Sequence, residues 1–295
     1  MNILITGAKG QLGNEIRVLA KEHNDYTCFF TDIEELDICD EKAVKTYVAD
    51  RQIDVIVNCA AYTAVDNAED NKELCDKLNN MAPGYLARAA QSRGAAMIHV
   101  STDYVFDGTK HTPYTEEDTP CPTSVYGTTK LAGEENVLKN CQRAVVVRTA
   151  WLYSTYGTNF VKTMIRLGRE RDTLGVVFDQ IGTPTYACDL AQAIYAIINK
   201  GIIRGIYHFS NEGVCSWYDF AINIHRVAGV AGCTVKPLHT MDYPTKAARP
   251  YYSVLDKTKI KKVYDIEIPH WEESLKKCVE NMDTCNTNHK HIRGT

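Results

Sequence analysis

Several things are missing from this chain, and each absence closes off a class of protein. No apolar run approaches the roughly 20 residues needed to cross a bilayer, so no membrane association is expected. No charge excess exists either: 33 Lys and Arg stand against 37 Asp and Glu, a net charge of -4. That balance lacks the basic footprint with which duplex binders neutralise phosphates, so nucleic acid is not an expected partner, although a local basic pocket remains compatible with it. The 11 cysteines contain no CxxC pair and are odd in number, which argues against a disulfide framework and for reduced, mostly buried thiols. The 9 histidines do not pair at ligand spacing, apart from His289 and His291 in a polar tail, so no metal site is expected. The opening "MNILITGAKG" has neither the charged start nor the long apolar stretch of a signal peptide, and a cytoplasmic location is expected. There is no internal repeat and no low-complexity linker.

What is present is an ordinary globular composition: 295 residues, 44% hydrophobic and 24% charged, enough for one large domain or two unequal ones. Short apolar, β-rich runs at 2–6, 27–31, 54–59, 95–101, 144–149 and 174–178 alternate with helical patterns near 11–23, 41–51, 72–93, 125–139, 157–171 and 187–199. Such alternation predicts βαβ units and an α/β fold: a Rossmann-like, doubly wound parallel sheet whose strands are covered on both faces. After residue 200 the pattern loosens, with a helix near 216–229, the stretch "YPTKAARPYY" and a last helix at 271–282. The expected division is a dinucleotide-binding domain at 1–149 plus about 174–200, and a smaller mixed α/β C-terminal substrate cap from 150–173 and 201–282. Residues 283–295 read as a polar tail, poorly ordered or appended to the fold.

Ligands of such sheets sit at the carboxyl ends of the strands. The first of those loops is "GAKGQLG", with Gly7, Gly10 and Gly13 three apart and Gln11 and Leu12 between the last two, directly after a strand and opening a helix. Glycines there permit a tight turn and bring backbone N–H groups close to a pyrophosphate on the helix N-terminus. Close packing alone would also explain them. Nineteen residues past Gly13 comes Asp32, where an acid accepts hydrogen bonds from an adenosine ribose and repels a 2′-phosphate. This leans toward NADH, with Lys9 placed to offset part of the repulsion; a turn cap is the alternative. Asp37 and Ile38 are read evenly as adenine contacts or as the start of the next helix, with Asp37 its cap.

The stretch "SVYGTTKLAGEE" sets Tyr126 four positions before Lys130. On a helix the two share a face, and a cation beside a phenol favours the tyrosinate. Taken alone, the spacing reads first as a surface Tyr and a solvated Lys on an amphipathic helix, unless other residues converge on it. They do: "HVSTDYVFDG" brings the hydroxyls of Ser101 and Thr102 to the carboxyl end of the fourth strand.

A strand-end hydroxyl with Tyr and Lys on the following helix resembles the extended short-chain dehydrogenase/reductase superfamily, whose members use GxxGxxG. The resemblance implies that Thr102 polarises a carbonyl, Tyr126 passes the proton and Lys130 lowers the Tyr pKa while holding the nicotinamide ribose. It places Asn79 in a proton relay through water; a polar residue on a solvated helix face is the alternative. The series "NCAAYTAVDNAE", "STDYVFDG", "SVYGTTKLAGE", "VVRTAWLY", "GTNFVKTM", "DQIGTPTYACDLA" and "ARPYYSVLD" is similar, in that order, to the dTDP-4-dehydrorhamnose reductase family from residue 1 to about 282. That likeness implies NADH- or NADPH-dependent reduction of the C4 ketone of a dTDP-sugar, dTDP-4-dehydro-L-rhamnose. It implies that Ala60, Ala61 and Tyr62 line the cofactor, that Thr63, Val65 and Asp66 lie at the substrate entrance, and that Asp103 and Tyr104 border the sugar. Trp151 offers a ring face to sugar or base, with core packing as its alternative; Asn159 and Gln180 are candidates for the nucleotide half, Asn159 equally a helix cap. Arg249 is the candidate for the diphosphate, or a surface ion pair. A homodimer is compatible with the family. Some members share a magnesium ion between glutamates; Glu15 matches one, but Cys188 or Asp189 falls at the second position, so Mg2+ is not expected. Epimerases, dehydratases and non-catalytic regulatory subunits built on the same fold are the competing readings.

Overall fold

Runs of β-branched residues become strands here because helices cover both of their faces, leaving neither edge of the pleat for water. The structure, a computed structural model, describes the backbone of residues 1–291 and side chains through residue 282. β1 (Asn2–Thr6), β2 (Thr27–Thr31), β3 (Val55–Asn58), β4 (Ala96–Thr102) and β5 (Ala144–Thr149) lie within one or two residues of their expected bounds. They join an all-parallel six-stranded sheet in the order Gly205–His208, β5, β4, β3, β1, β2. Alternate residues feed two cores. Ile3, Ile5, Val55 and Val57 pack with the helices Gln11–Leu19 and Ala187–Lys200, while Leu4, Ile56 and Met97 pack with Glu41–Asp50 and Ala82–Arg93. The chain reverses direction across the sheet between β1 and β3, the crevice where doubly wound folds bind ligands.

One strand assignment needs correction. The run at 174–178 does not enter the main sheet; Thr173–Val177 pairs in parallel with Thr234–Leu238 in a separate two-stranded sheet. Its alternating exposure marks a strand covered on one face only. The sixth sheet strand is Gly205–His208, beside β5, fed by the helix Ala187–Lys200 that makes the crossover a parallel neighbour requires. Around Thr173–Val177 a third core forms from Tyr153, Val161, Phe220, Ile224, Trp271 and Leu275.

Two further differences concern helices. The segment 72–93 is not one helix but Lys72–Asp76, a π-turn at Lys77–Met81 and Ala82–Arg93; the bulge turns Asn79 fully inward. The last helix runs from Trp271 to His291, past the expected end at 282, so much of the polar tail continues a helix; residues 292–295 lie outside the described residues. Among the described residues no helix is long and apolar enough to cross a membrane.

The helix Val125–Asn140 lies against the carboxyl ends of β4 and β5. Ser124 starts it, its hydroxyl accepting the Gly127 N–H at 3.1 Å. Ser124→Ala removes the cap of a buried helix end and is expected to cost about 1 kcal/mol, read as a lowered thermal midpoint.

Candidate active site

A cleft of about 840 Å³ runs along the carboxyl ends of β1 to β5. At one end, Gly7 turns the chain with φ of 64°, and a Cβ there would stand 2.7 Å from the Ala60 nitrogen. The loop can therefore lie directly against the loop after β3. The helix Gln11–Leu19 begins at Gly10 with no side chain capping its first turn. Its leading N–H groups, on Gln11, Leu12 and Gly13, face a cleft those residues line, so an anion can take the place of a cap. The loop and the helix end fit the pyrophosphate of a dinucleotide.

Asp32, Asp37 and Ile38 line the same end of the cleft. Asp32 accepts the Lys9 and Ile33 N–H groups at 3.1 and 3.0 Å, while its own N–H donates to Glu35. The Lys9 ammonium is paired with Glu34 at 2.6 Å, so its charge is shared with a carboxylate. The choice left open for Asp37 resolves against capping, since the helix Glu41–Asp50 is capped by Asp40, which accepts the Ala43 N–H.

At the other end Thr102, Tyr126 and Lys130 converge, all buried and all lining the cleft. The Thr102 hydroxyl donates to Asp103 at 2.9 Å, and the Lys130 ammonium donates to the Val100 carbonyl at 2.7 Å. Burial pushes the Tyr126 phenol up, a hydrogen bond with Thr102 acting in the opposite sense, so the phenol keeps its proton at neutral pH. Burial pushes Lys130 down to about 8, against the pull of Glu134. Asp103 is raised to about 6 by burial, opposed by hydrogen bonds from Thr102 and Ser253.

Of the remaining candidates, Ala60, Ala61, Thr63, Val65, Asp103, Tyr104, Trp151 and Asn159 line the cleft. Trp151 adopts φ of 49°, a left-handed backbone that is costly for a large side chain; its ring stacks on Trp217 at 3.6 Å. Asn159 does two jobs, capping the helix Phe160–Glu170 and donating to Gln11 at 3.0 Å. Five candidates, Tyr62, Asp66, Asn79, Gln180 and Arg249, stand outside the cleft wall. Tyr62 is held by its backbone, which exchanges hydrogen bonds with the Asn79 amide at 2.8 and 3.1 Å; the buried Asn79 is thereby occupied rather than solvated. Gln180 donates to Thr240 at 3.2 Å. Arg249 grips Asp66 at 2.6 Å and reaches the Tyr104 hydroxyl at 3.5 Å.

Comparison with known proteins agrees with this geometry. The chain matches the family described as RmlD substrate binding domain over residues 1–284. It is 43% identical to a dTDP-4-dehydrorhamnose reductase of Aggregatibacter actinomycetemcomitans, covering 93% of this chain and 97% of that one. The crystal structure of such a reductase from Clostridium acetobutylicum superposes with a TM-score of 0.93 at 44% identity, covering 96% and 100% of the two chains. One from Bacillus anthracis, in complex with NADP, gives 0.92 at 39% identity, covering 95% and 99%. The chain belongs to the dTDP-4-dehydrorhamnose reductase family.

Glu15 is buried and accepts the Ser154 hydroxyl at 2.6 Å, and Asp189 accepts from Asn211 and Ser274 at 2.7 and 2.5 Å. Among the described residues no group of three His, Cys, Asp or Glu stands together as a metal cage. Trp217 and Ser253, which back Trp151 and Asp103, carry no signal in the sequence because they reach the site from distant segments. Asp66 also accepts the Ala247 N–H at 3.1 Å, and Lys246 pairs with Asp70, so the segment 246–249 is strapped to the sheet domain beside the cleft. Asp66→Ala removes two of those bonds; amide exchange at Ala247 is expected to quicken about tenfold, the loss of a charged hydrogen bond, while exchange in β1 stays unchanged.

Proposed function

We propose that this chain reduces the C4 ketone of dTDP-4-dehydro-L-rhamnose to dTDP-L-rhamnose with NADH or NADPH. The observation that carries the reading is the convergence of Thr102, Tyr126 and Lys130 at the far end of a cleft that begins at an uncapped, glycine-lined helix N-terminus. When bound, the nicotinamide supplies the hydride. The first-turn N–H groups of Gln11, Leu12 and Gly13 hold the pyrophosphate, Asp32 the adenosine ribose, Lys130 the nicotinamide ribose, and Ala60 and Ala61 the wall between.

Thr102 releases its hydroxyl from Asp103 and donates it to the ketone oxygen, since its one proton serves one acceptor at a time. The oxygen at C4 becomes an alkoxide and takes the Tyr126 proton, general acid catalysis by a group that burial keeps protonated until an anion stands against it. The tyrosinate left behind is stabilised by the Lys130 cation and is reprotonated from solvent. Trp151, held against Trp217, offers an apolar face to the sugar's 6-deoxy edge or to the base. Arg249, at the rim beside Tyr104, is placed to exchange part of its Asp66 contact for the diphosphate. Every group invoked comes from one chain, so the chemistry needs no second copy even where a homodimer forms. We place the enzyme in the cytoplasm with its nucleotide-sugar substrate.

Following NADH oxidation with freshly generated dTDP-4-dehydro-L-rhamnose, against UDP- and GDP-linked 4-ketosugars, tests the assignment; turnover confined to the UDP or GDP compounds overturns it. Tyr126→Phe is expected to lower turnover by about 10²–10⁴-fold, the usual weight of a general acid, with NADH binding by fluorescence nearly unchanged. Asp32→Ala is expected to raise the NADPH-to-NADH ratio of specificity constants at least tenfold, since charge repulsion near a surface is worth about 1–4 kcal/mol. An unmoved ratio would show that Asp32 plays no part in the choice.

A further inference from the structure

The helix Val125–Asn140 carries a third residue on the face of Tyr126 and Lys130. Glu134 follows Lys130 by four positions, as Lys130 follows Tyr126, and residues at that spacing share one face. All three meet consecutive residues at the end of β4: Tyr126 bonds Thr102, Lys130 bonds the Val100 carbonyl at 2.7 Å, and Ser101 donates to Glu134 at 2.5 Å. From β5, Arg148 grips the same carboxylate through Nε at 2.9 Å and Nη2 at 2.7 Å. Both partners are only 1% exposed. Behind them His208 is kept neutral, pushed down to about 3 by burial and the neighbouring Arg148.

A buried ion pair of this kind is weak as a source of stability, because desolvation offsets the attraction and apolar replacements are often neutral or better. Its placement suggests another use. We propose that Glu134 is a positioning residue for the reduction: clamped by Arg148 and Ser101, it registers the catalytic helix on β4 and supplies the negative charge that keeps Lys130 a cation. The proposal rests on the reductase reading.

The surroundings of Lys130 leave that task to Glu134. The groups facing it are Cys59 after β3, Cys75 on the helix Lys72–Asp76, His99 on β4, and Tyr126 and Glu134 on its own helix. Burial raises Cys59 to about 12 and also raises Cys75, so both thiols are neutral. His99 is held neutral by burial and by Lys130 itself, and Tyr126 keeps its proton. Glu134 is the remaining anion.

The test is the pH dependence of kcat/KM. Activity that needs a charged Lys130 falls as pH rises through its value of about 8; without the carboxylate that alkaline limb moves down by about one unit, the lower end of the effect of an opposite charge at this range. Glu134→Gln is therefore expected to lose activity about tenfold at pH 8 relative to pH 6.5. Because that variant leaves Arg148 unpaired, the double variant E134Q/R148M carries the decisive comparison: it is expected to regain thermal stability while its alkaline limb stays low. A wild-type pH profile in the double variant, or in a folded E134Q, overturns the proposal. ¹⁵N NMR titration of the Lys130 ammonium reads the same shift without turnover, so a failure of the substrate assignment and a failure of the Glu134 role give different results.

Discussion

The site depends on the contact of one helix with one strand end. Val125–Asn140 packs along β4 and β5 with its N-terminal half at their carboxyl ends, and the polar stripe of that half meets the chain from Val100 to Thr102. A helix resting on a sheet by apolar contacts alone has freedom to slide, since dispersion and burial are non-directional. Hydrogen bonds from Lys130 and Ser101 remove that freedom by demanding fixed distances. The phenol therefore sits at a defined height over the strand end, which is where a reacting carbonyl must lie if proton transfer is to compete.

The same principle orders the dinucleotide end of the cleft. There the fixed element is a backbone close to a backbone, Gly7 against Ala60, and the polar groups are main-chain N–H donors with no cap. The two ends are linked by a row of buried polar residues at the strand ends: Thr6 donates to Asn58 at 2.6 Å, and Asn58 meets His99 at 3.0 Å. Because buried polar groups are costly unless paired, this row holds β1, β3 and β4 in one register beneath the cleft. Reaction geometry then follows from sheet geometry.

The segments around the third core meet the cleft by a different kind of interaction. Their core is apolar, but the segment 246–249 is held beside the cleft by the exposed pair Lys246–Asp70 and the partly buried pair Arg249–Asp66. Such pairs contribute little to stability and exchange readily with water or other anions. They contrast with the fully buried Glu134–Arg148 pair, which stands outside the cleft wall.

What the sequence determined was local. The bounds of β1, β2 and β5, the glycine turn, Asp32 at the end of β2 and the shared face of Tyr126 and Lys130 follow from spacing of 2, 3 or 4 residues, where backbone geometry leaves few choices. Glu134 was legible by the same rule, one step further along the helix. Tertiary structure decided the rest. Gly205–His208 rather than Thr173–Val177 completes the sheet, Arg249 finds Asp66, and Trp217 backs Trp151. Those partners lie tens to hundreds of residues apart, and which of several chemically acceptable partners a side chain meets is fixed only when the layers pack.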